Sequence, residues 1–374
     1  MNTKLFDCAI IGGGLAGLSL AIQLADAGHA VILFEKNKYP FHKVCGEYIS
    51  MESYDFLERI GVPLSTMNLP IINEIKISSP NGNSFTRKLD LGGFGITRYA
   101  LDSYLAELAL SKGVVLLQET KVFDVTFEHD LFALKTSQGT FTSKTACGAY
   151  GKHSSLNQKL HRKSSRTTKN YIAVKYHIQI DLPENKIELH NFKDGYCGIS
   201  KVDGNKYCLC YLTNSQNLKD NANDIKAMEK NVLMKNPFLR QYFTDAVFLF
   251  EQPLTISQIT FSKKTAVENH ILMLGDAAGN ISPLCGNGMS MAMNSSCIAF
   301  DLISKYLHEE IPMQDLENVY ERQWNHLFSK RIKIGKHLQH LFGKEKVTNT
   351  AIAILKKIPV LTDKLISMTH GSKF

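Results

Sequence analysis

The sequence is poor in tryptophan, in paired cysteine spacings and in long apolar runs, and each shortage removes a class of protein. No stretch reaches the ~18 to 20 apolar residues needed to span a bilayer. The first apolar run is broken by Gly12, Gly13 and Gly14, which is not the pattern of a secretory leader. A cytoplasmic protein is expected. Eight cysteines, at 8, 45, 147, 197, 208, 210, 285 and 297, form no C-x-x-C pair and no zinc-finger spacing. Several lie in apolar runs, where a thiol behaves as a small hydrophobe. Thirteen histidines include no H-E-x-x-H, and His337 with His340, at i and i+3, read as a solvated helix face. No metal site and no disulfide framework are expected. The formal net charge of +8 is dispersed, without a nucleic-acid-binding signature. It suits an anionic cofactor or a weak pull toward acidic membrane surfaces. At 374 residues, 44% hydrophobic and 21% charged, the composition is that of a globular protein of two or three domains.

What is present begins at once. Residues 8–11 are a short apolar run, the pattern of a buried parallel strand. They lead into Gly12-Gly13-Gly14-Leu15-Ala16-Gly17 and a helical pattern over 18–25. A second apolar strand over 30–34 ends at Glu35, 23 positions after Gly12, with Lys36 beside it. In a strand, G-x-G-x-x-G, helix, strand, acid order, Gly12 permits the turn, Gly14 lets a pyrophosphate approach and Gly17 lets the helix pack on the sheet. The helix N-terminus offers unpaired N–H groups to phosphates. Glu35 suits ribose hydroxyls. Which dinucleotide binds stays open on these residues alone.

Residues 36–50 form a polar loop in which Lys43 can face phosphates and Cys45-Gly46 can bring backbone close to a flat ring. A surface loop with one buried cysteine is the competing reading. A helical pattern over 51–60 stops at Gly61. The period falls to two over 72–94, around the hairpin signal Pro80-Asn81-Gly82-Asn83. Arg98 opens the next helix, and short strands follow over 114–143, one of them starting at Val122. Four strands between 171 and 212 read as an antiparallel sheet, in which Cys208 and Cys210 share one face. A last apolar strand over 271–274 runs into Gly275-Asp276-Ala277-Ala278, then Pro283, Gly286-Asn287-Gly288 and a helix from Met289. The basic amphipathic stretch 351–361 fits two uses: docking on a membrane, or closing over a substrate domain, which is the commoner fate of such a helix.

The Gly12–Gly17 fingerprint with Glu35, and Gly275-Asp276-Ala277-Ala278 with Pro283 and Gly286-x-Gly288 about 260 residues later, together resemble one superfamily of FAD-dependent oxidoreductases. It holds the para-hydroxybenzoate hydroxylase type monooxygenases and the geranylgeranyl reductases. The resemblance implies FAD, with NADH or NADPH as a transient electron donor. It implies that Asp276 bonds the ribityl chain, and that N–H groups of Gly286, Asn287, Gly288 and Met289 face the pyrimidine edge of the ring. Pro283 would stiffen the substrate side, Arg98 would lie beside the phosphates or ribityl, and the Lys43–Glu47 loop would run along the flavin. Gly12, Gly14, Leu15, Ala16, Gly17, Glu35, Lys36, Lys43, Cys45, Gly46 and Val122 complete the implied cofactor set. Cys45, Pro283 and Met289 are candidates nearest the chemistry. One departure concerns the superfamily's middle motif, Gly-Ala-Asp-Gly. Here it is Gly148-Ala149-Tyr150-Gly151, with Asn157 near where an arginine often stands, and direct NAD(P)H use comes into question. The halogenase motif Trp-x-Trp-x-Ile-Pro is absent, the only tryptophan being Trp324. The reductase motif Tyr-x-Trp-x-Phe-Pro is not intact at 195–199 either.

The expected fold is an α/β, two-domain flavoprotein. A Rossmann-type, glutathione-reductase-like FAD-binding domain (1–72, 98–160 and 262–330) is interrupted by an antiparallel β-sheet substrate domain (73–97 and 161–261), with a C-terminal helical segment (331–374). The leading function is a flavin monooxygenase acting on a small apolar or aromatic metabolite, with no nucleic-acid partner. The alternatives are a reductase of carbon–carbon double bonds in an isoprenoid or polyketide-like chain, and a flavin-binding protein that works through a partner without turnover.

Overall fold

The computed structural model describes residues 4–152, 154–162, 170–259, 264–279, 286–341, 344–367 and 371–374. Two sheets organise the chain. The first runs, edge to edge, through Val267–Glu268, Ile271–Met273, Gly139–Gly148, Leu5–Ile11, Val31–Phe34 and Val115–Leu117, with the hairpin Val122–Glu128 and Leu131–Thr136 attached beside Gly139–Gly148. Leu5–Ile11 pairs in parallel on both sides, with Ile11 opposite Phe34 and Gly148. Cys8, Ala9 and Ile10 are fully buried, as a strand covered on both faces requires. The helix Leu15–Asp26 packs against Arg98–Ser111 and Gly288–Leu307. Thr97 caps Arg98–Ser111, its hydroxyl accepting from the Ala100 N–H at 3.2 Å.

The second sheet runs through Val247–Phe248, Tyr171–Gln179, Lys206–Asn214, Gly195–Val202, Lys186–Phe192, Ile71–Ser78, Ser84–Gly95 and Tyr48–Ser50. Its neighbours are antiparallel with one exception. Lys186–Phe192 lies parallel to Ile71–Ser78, with Lys186 opposite Glu74, so the sheet is mixed. Parallel neighbours need a long crossover, here the whole chain from 79 to 185. Tyr48–Ser50 and the strand from Ile71 belong to this sheet, although they precede the expected boundary at residue 72.

One face of the second sheet packs Tyr176, Leu209 and Tyr211 against Met228, Leu233, Leu239 and Tyr242. The opposite face presents Ile77, Phe85, Ala173, Leu189 and Leu212, and the C-terminal helix Glu345–Lys357 closes on it through Ile352 and Leu355. The amphipathic stretch therefore seals the sheet. Among the described residues no helix is long and apolar enough to cross a membrane.

Candidate functional site

The turn after the first strand explains its glycines one by one. Gly12 has φ +111°, where L side chains are strained, and a Cβ there would stand 2.5 Å from the Ala149 carbonyl oxygen. A Cβ on Gly17 would fall 2.0 Å from the Gly12 oxygen. Gly14 differs: the space where its Cβ would lie is open, bounded only by Arg98 Nη2 and Lys43 Nζ at 3.9 Å. Gly12 and Gly17 are thus glycines for the fold, and Gly14 borders an open, cation-lined cradle at a helix N-terminus. The buried Glu35 accepts from the Gly13 N–H at 2.9 Å through one oxygen and from Asn37 N–H and Nδ2 at 3.0 and 2.9 Å through the other. The oxygen that Gly13 meets keeps a second lone pair. Leu15 and Ala16 are buried in the helix behind the turn, Lys36 is exposed, and Val122 is a core residue of the first sheet.

Charged groups converge on that cradle. Asp102 receives Arg98 in a two-pronged bond (Nε and Nη2, both 2.7 Å) and Lys43 Nζ at 2.8 Å. Burial alone would push its carboxyl up, but the charges of Arg98 and Lys43 outweigh burial and hold it below the ordinary range. Glu47, fully buried, has φ +56°, a costly conformation for a residue with a Cβ. One of its oxygens accepts from the Arg98 N–H at 2.8 Å and from Lys175 Nζ at 2.5 Å, and the other meets His177 Nε2 at 2.6 Å. Burial again raises this carboxyl, and the His177 hydrogen bond with the Lys175 charge brings it below the ordinary value. Lys175 Nζ also donates to the Lys43 carbonyl at 3.1 Å, and the Cys208 thiol to that of Cys45 at 3.2 Å. His42 stacks on Tyr99 and meets His177 and Phe250 at the outer edge.

Two sheets meet here. Lys43, Glu47 and Arg98 come from the glycine-turn side, and Lys175, His177 and Cys208 from adjacent strands of the second sheet. Lys175 and His177 were not among the sequence candidates, nor was Asp102. The available signal was their spacing: two ionisable residues at alternate positions of an otherwise apolar strand share one face.

The loop after Ile271–Met273 approaches from a third side. Gly275 has φ +55°, and its N–H donates to Ser295 Oγ at 3.0 Å. Asp276 is partly exposed, with Lys152 Nζ 3.7 Å away. A cleft lined by Gly275, Asp276, Gly279, Gly288, Met291, Trp324 and Phe328 opens beside it. Gly288 starts the helix Gly288–Leu307 behind the buried Asn287. Met289 Sδ stands 3.6 Å from Cys45 Sγ, so the two loops flanking Gly46 and Gly288 touch. The Tyr48 ring lies 3.2 Å from where a Gly286 Cβ would be, and Gly286 has φ +68°. Pro283 and Cys285 lie outside the described residues.

Tyr150, the departure in the middle motif, sits in a hydrogen-bonded cluster. Its hydroxyl donates to Asn157 Oδ1 at 3.2 Å and accepts from Arg162 Nη1 at 3.2 Å. Arg162 also donates to the carbonyls of Ala277 at 2.8 Å and Thr265 at 2.7 Å. An arginine is present after all, five residues beyond Asn157, and it straps this loop to the Asp276 turn.

Two cofactor classes can be tested against these groups. Donor atoms of Glu47, His177 and Cys208 lie within 4.8 Å of one another. The Lys175 ammonium already sits on that carboxylate, and burial together with the Glu47 charge pushes the Cys208 thiol well up. Glu47 with Lys175 and His177 forms a buried ion-pair cluster at the centre of this trio. A dinucleotide fits. Three cations (Lys43, Arg98 and Lys175) face two carboxylates (Asp102 and Glu47), and the surplus positive charge adjoins the open side of Gly14.

Comparison with known proteins agrees. The profile of a family described as "FAD binding domain" matches residues 6–323. A conditioned medium factor receptor of Dictyostelium discoideum is 25% identical over 412 residues, covering 100% of this chain and 76% of that protein. A digeranylgeranylglycerophospholipid reductase of Methanococcus vannielii is 22% identical over 402 residues, covering 95% and 96%. A kynurenine 3-monooxygenase of Flavobacterium johnsoniae is 20% identical over 347 residues, covering 82% and 74%. Among solved structures, the flavin-dependent brominase Bmp2 superposes with a TM-score of 0.82 at 16% identity, covering 98% of this chain and 93% of that one. A probable FAD-dependent monooxygenase of Pseudomonas aeruginosa, pqsL, superposes with a TM-score of 0.74 at 15% identity, covering 94% and 100%. The structural likenesses establish the fold.

Proposed function

The chain belongs to the FAD binding domain family and is an FAD-dependent oxidoreductase, and from that premise we propose that it is a monooxygenase of a small apolar or aromatic molecule. The observation that carries the reading is the inner face of the second sheet. Ile77, Phe85, Leu189 and Leu212 form an apolar wall that Val44 of the Lys43–Glu47 loop borders and that Ile352 and Leu355 roof. Apolar packing of this kind beside the Lys43–Glu47 loop would keep water from a reduced flavin and its substrate.

In this reading the 1–72, 98–160 and 262–330 segments hold the cofactor and the second sheet holds the substrate. Bound FAD supplies two-electron chemistry and, once reduced, reactivity toward O2. Lys43, Arg98 and the N–H groups beside Gly14 hold the pyrophosphate, with Glu35 on the adenosine ribose and Lys36 beside it. Leu15, Ala16, Gly17 and Val122 back that pocket from the core. Asp276 would take the ribityl chain, and Gly286, Asn287, Gly288 and Met289 would offer N–H groups to the ring edge, with Gly275 shaping the turn before them. Cys45, against Met289, and Gly46 would line the ring. Lys175 and His177 fix the Lys43–Glu47 loop through Glu47 and are positioning residues.

A second reading, reduction of carbon–carbon double bonds in a long apolar chain, draws on the apolar residues of the same wall. The two part in one experiment. The purified protein is reduced anaerobically with NADH or NADPH and given candidate substrates with and without oxygen. Substrate-dependent oxygen consumption with an oxygenated product supports the monooxygenase. A product two hydrogens heavier, formed without oxygen, replaces it with the reductase.

A further inference from the structure

The C-terminal helices Glu345–Lys357 and Pro359–Ser367 carry two apolar faces. The inner one, with Ile352, Leu355, Leu365 and Ile366, packs on the second sheet. An ordinary surface helix buries one stripe and wets the rest. Here the outward side exposes Val347, Ile354, Ile358 and Val360, the last at 78%. These are four of the thirteen exposed large hydrophobics among the described residues, and they crowd into 347–360 while the others are spread over the rest of the chain. Apolar residues gathered in this way mark an interaction surface.

The charge around them states the partner. Lys344, Lys346, Lys356, Lys357 and Lys364 are all exposed, and the only acids between 344 and 364 are Glu345 and Asp363. Among the described residues none of these lysines is held in an ion pair. Lysines bordering an apolar ridge keep their ammonium groups at the level of lipid headgroups while the ridge enters the acyl boundary. A second copy of the chain meeting this face through a two-fold axis would set the same lysines against each other. We propose that the outer face of this helix pair seats on an anionic lipid surface, with Val360 and Ile354 at its centre and the lysines on the headgroups. The inference does not rest on the choice of substrate, since the helices pack on the second sheet whichever reaction the protein runs.

The test mixes the full-length, flavin-loaded protein with sedimentable vesicles. One set is phosphatidylcholine alone and the other equal parts phosphatidylcholine and phosphatidylglycerol. Binding is expected to the anionic vesicles only, and to fall as salt rises, because screening shortens the reach of the lysines. Each lysine near such a surface contributes about a fivefold gain in binding. The pair Lys356→Glu and Lys357→Glu is therefore expected to lower bound protein by more than about tenfold, and Val360→Asp with Ile354→Asp to do the same. Melting temperature and flavin content report whether each variant keeps its fold, and either pair suffices. Three results overturn the proposal: a folded, flavin-loaded wild type that sediments with neither vesicle; binding that both variants leave intact; or concentration-dependent self-association that Val360→Asp removes.

Discussion

Two buried polar networks lie on opposite faces of the second sheet, and each is built around a glutamate, a histidine and a lysine. The front one joins Glu47, Lys175 and His177 to Arg98, Lys43 and Asp102. The back one joins Glu188, His190 and Lys76 to Tyr242 and Ser78. In the latter, His190 Nε2 meets Glu188 Oε2 at 2.9 Å, His190 Nδ1 meets Ser78 Oγ at 2.7 Å, and Tyr242 donates to Glu188 at 2.5 Å. The serine–histidine–acid order looks like hydrolytic machinery. It is not accessible, because Ser78 and His190 are fully buried and Phe238 stacks on the imidazole. Lys76 and Glu188 balance in charge. The front network has a strained backbone at Glu47, an excess cation and an open cradle at Gly14. What separates a site from a structural network is therefore unmatched charge beside open space, since residue chemistry is common to both.

The largest test of that contrast is Glu47→Gln. It leaves the buried Lys175 ammonium without its counter-charge, at a cost of about 3 to 5 kcal/mol, read as a lowered melting temperature. Adding Lys175→Met removes the orphaned charge and is expected to restore most of the stability while flavin loading stays low. Recovery of both would make the front network structural. Glu188→Gln is expected to cost less, about 1.5 to 3 kcal/mol for hydrogen bonds to a charged group, and to leave flavin per folded molecule unchanged. Flavin loss there would erase the distinction. Gly14→Ala, in open space, is expected to spare the flavin-free melting temperature and weaken FAD binding about tenfold, or ~1.4 kcal/mol. Gly17→Ala lowers the melting temperature itself.

The smallest effect is set by pH. Burial pushes His190 below its ordinary 6.5, so the unfolded chain takes up a proton that the folded one refuses. Stability falls as pH drops below about 6.5. His29 and His42, lowered chiefly by burial, act in the same direction. Glu188, which burial raises but His190 and Tyr242 hold down to about 2, contributes above its ordinary 4.5 and loses that contribution as pH falls through about 2. His190→Gln is expected to flatten part of the slope of melting temperature between about pH 7 and 5.

The glycine turn with Glu35, and the Gly275-Asp276 loop, were legible because each packs its whole pattern into neighbouring residues. The C-terminal helix closing on the sheet was legible from its amphipathic stripe. The front network was not, because Glu47 and Lys175 are 128 positions apart and only strand pairing brings them together. The parallel pairing of Ile71–Ser78 with Lys186–Phe192 was equally hidden, since alternation of apolar and polar residues is the same in either direction. The outward Val347, Ile354, Ile358 and Val360 needed the inner face to be filled before they stood out.

The strap from Arg162 to Tyr150 and the Ala277 carbonyl bears on how the Asp276 turn is held. One guanidinium meets the Tyr150 phenol and two main-chain carbonyls, those of Ala277 and Thr265. Tyr150 and Arg162 therefore act as one clasp, and removing the arginine would leave the phenol and both carbonyls without that donor and loosen the turn that carries Asp276.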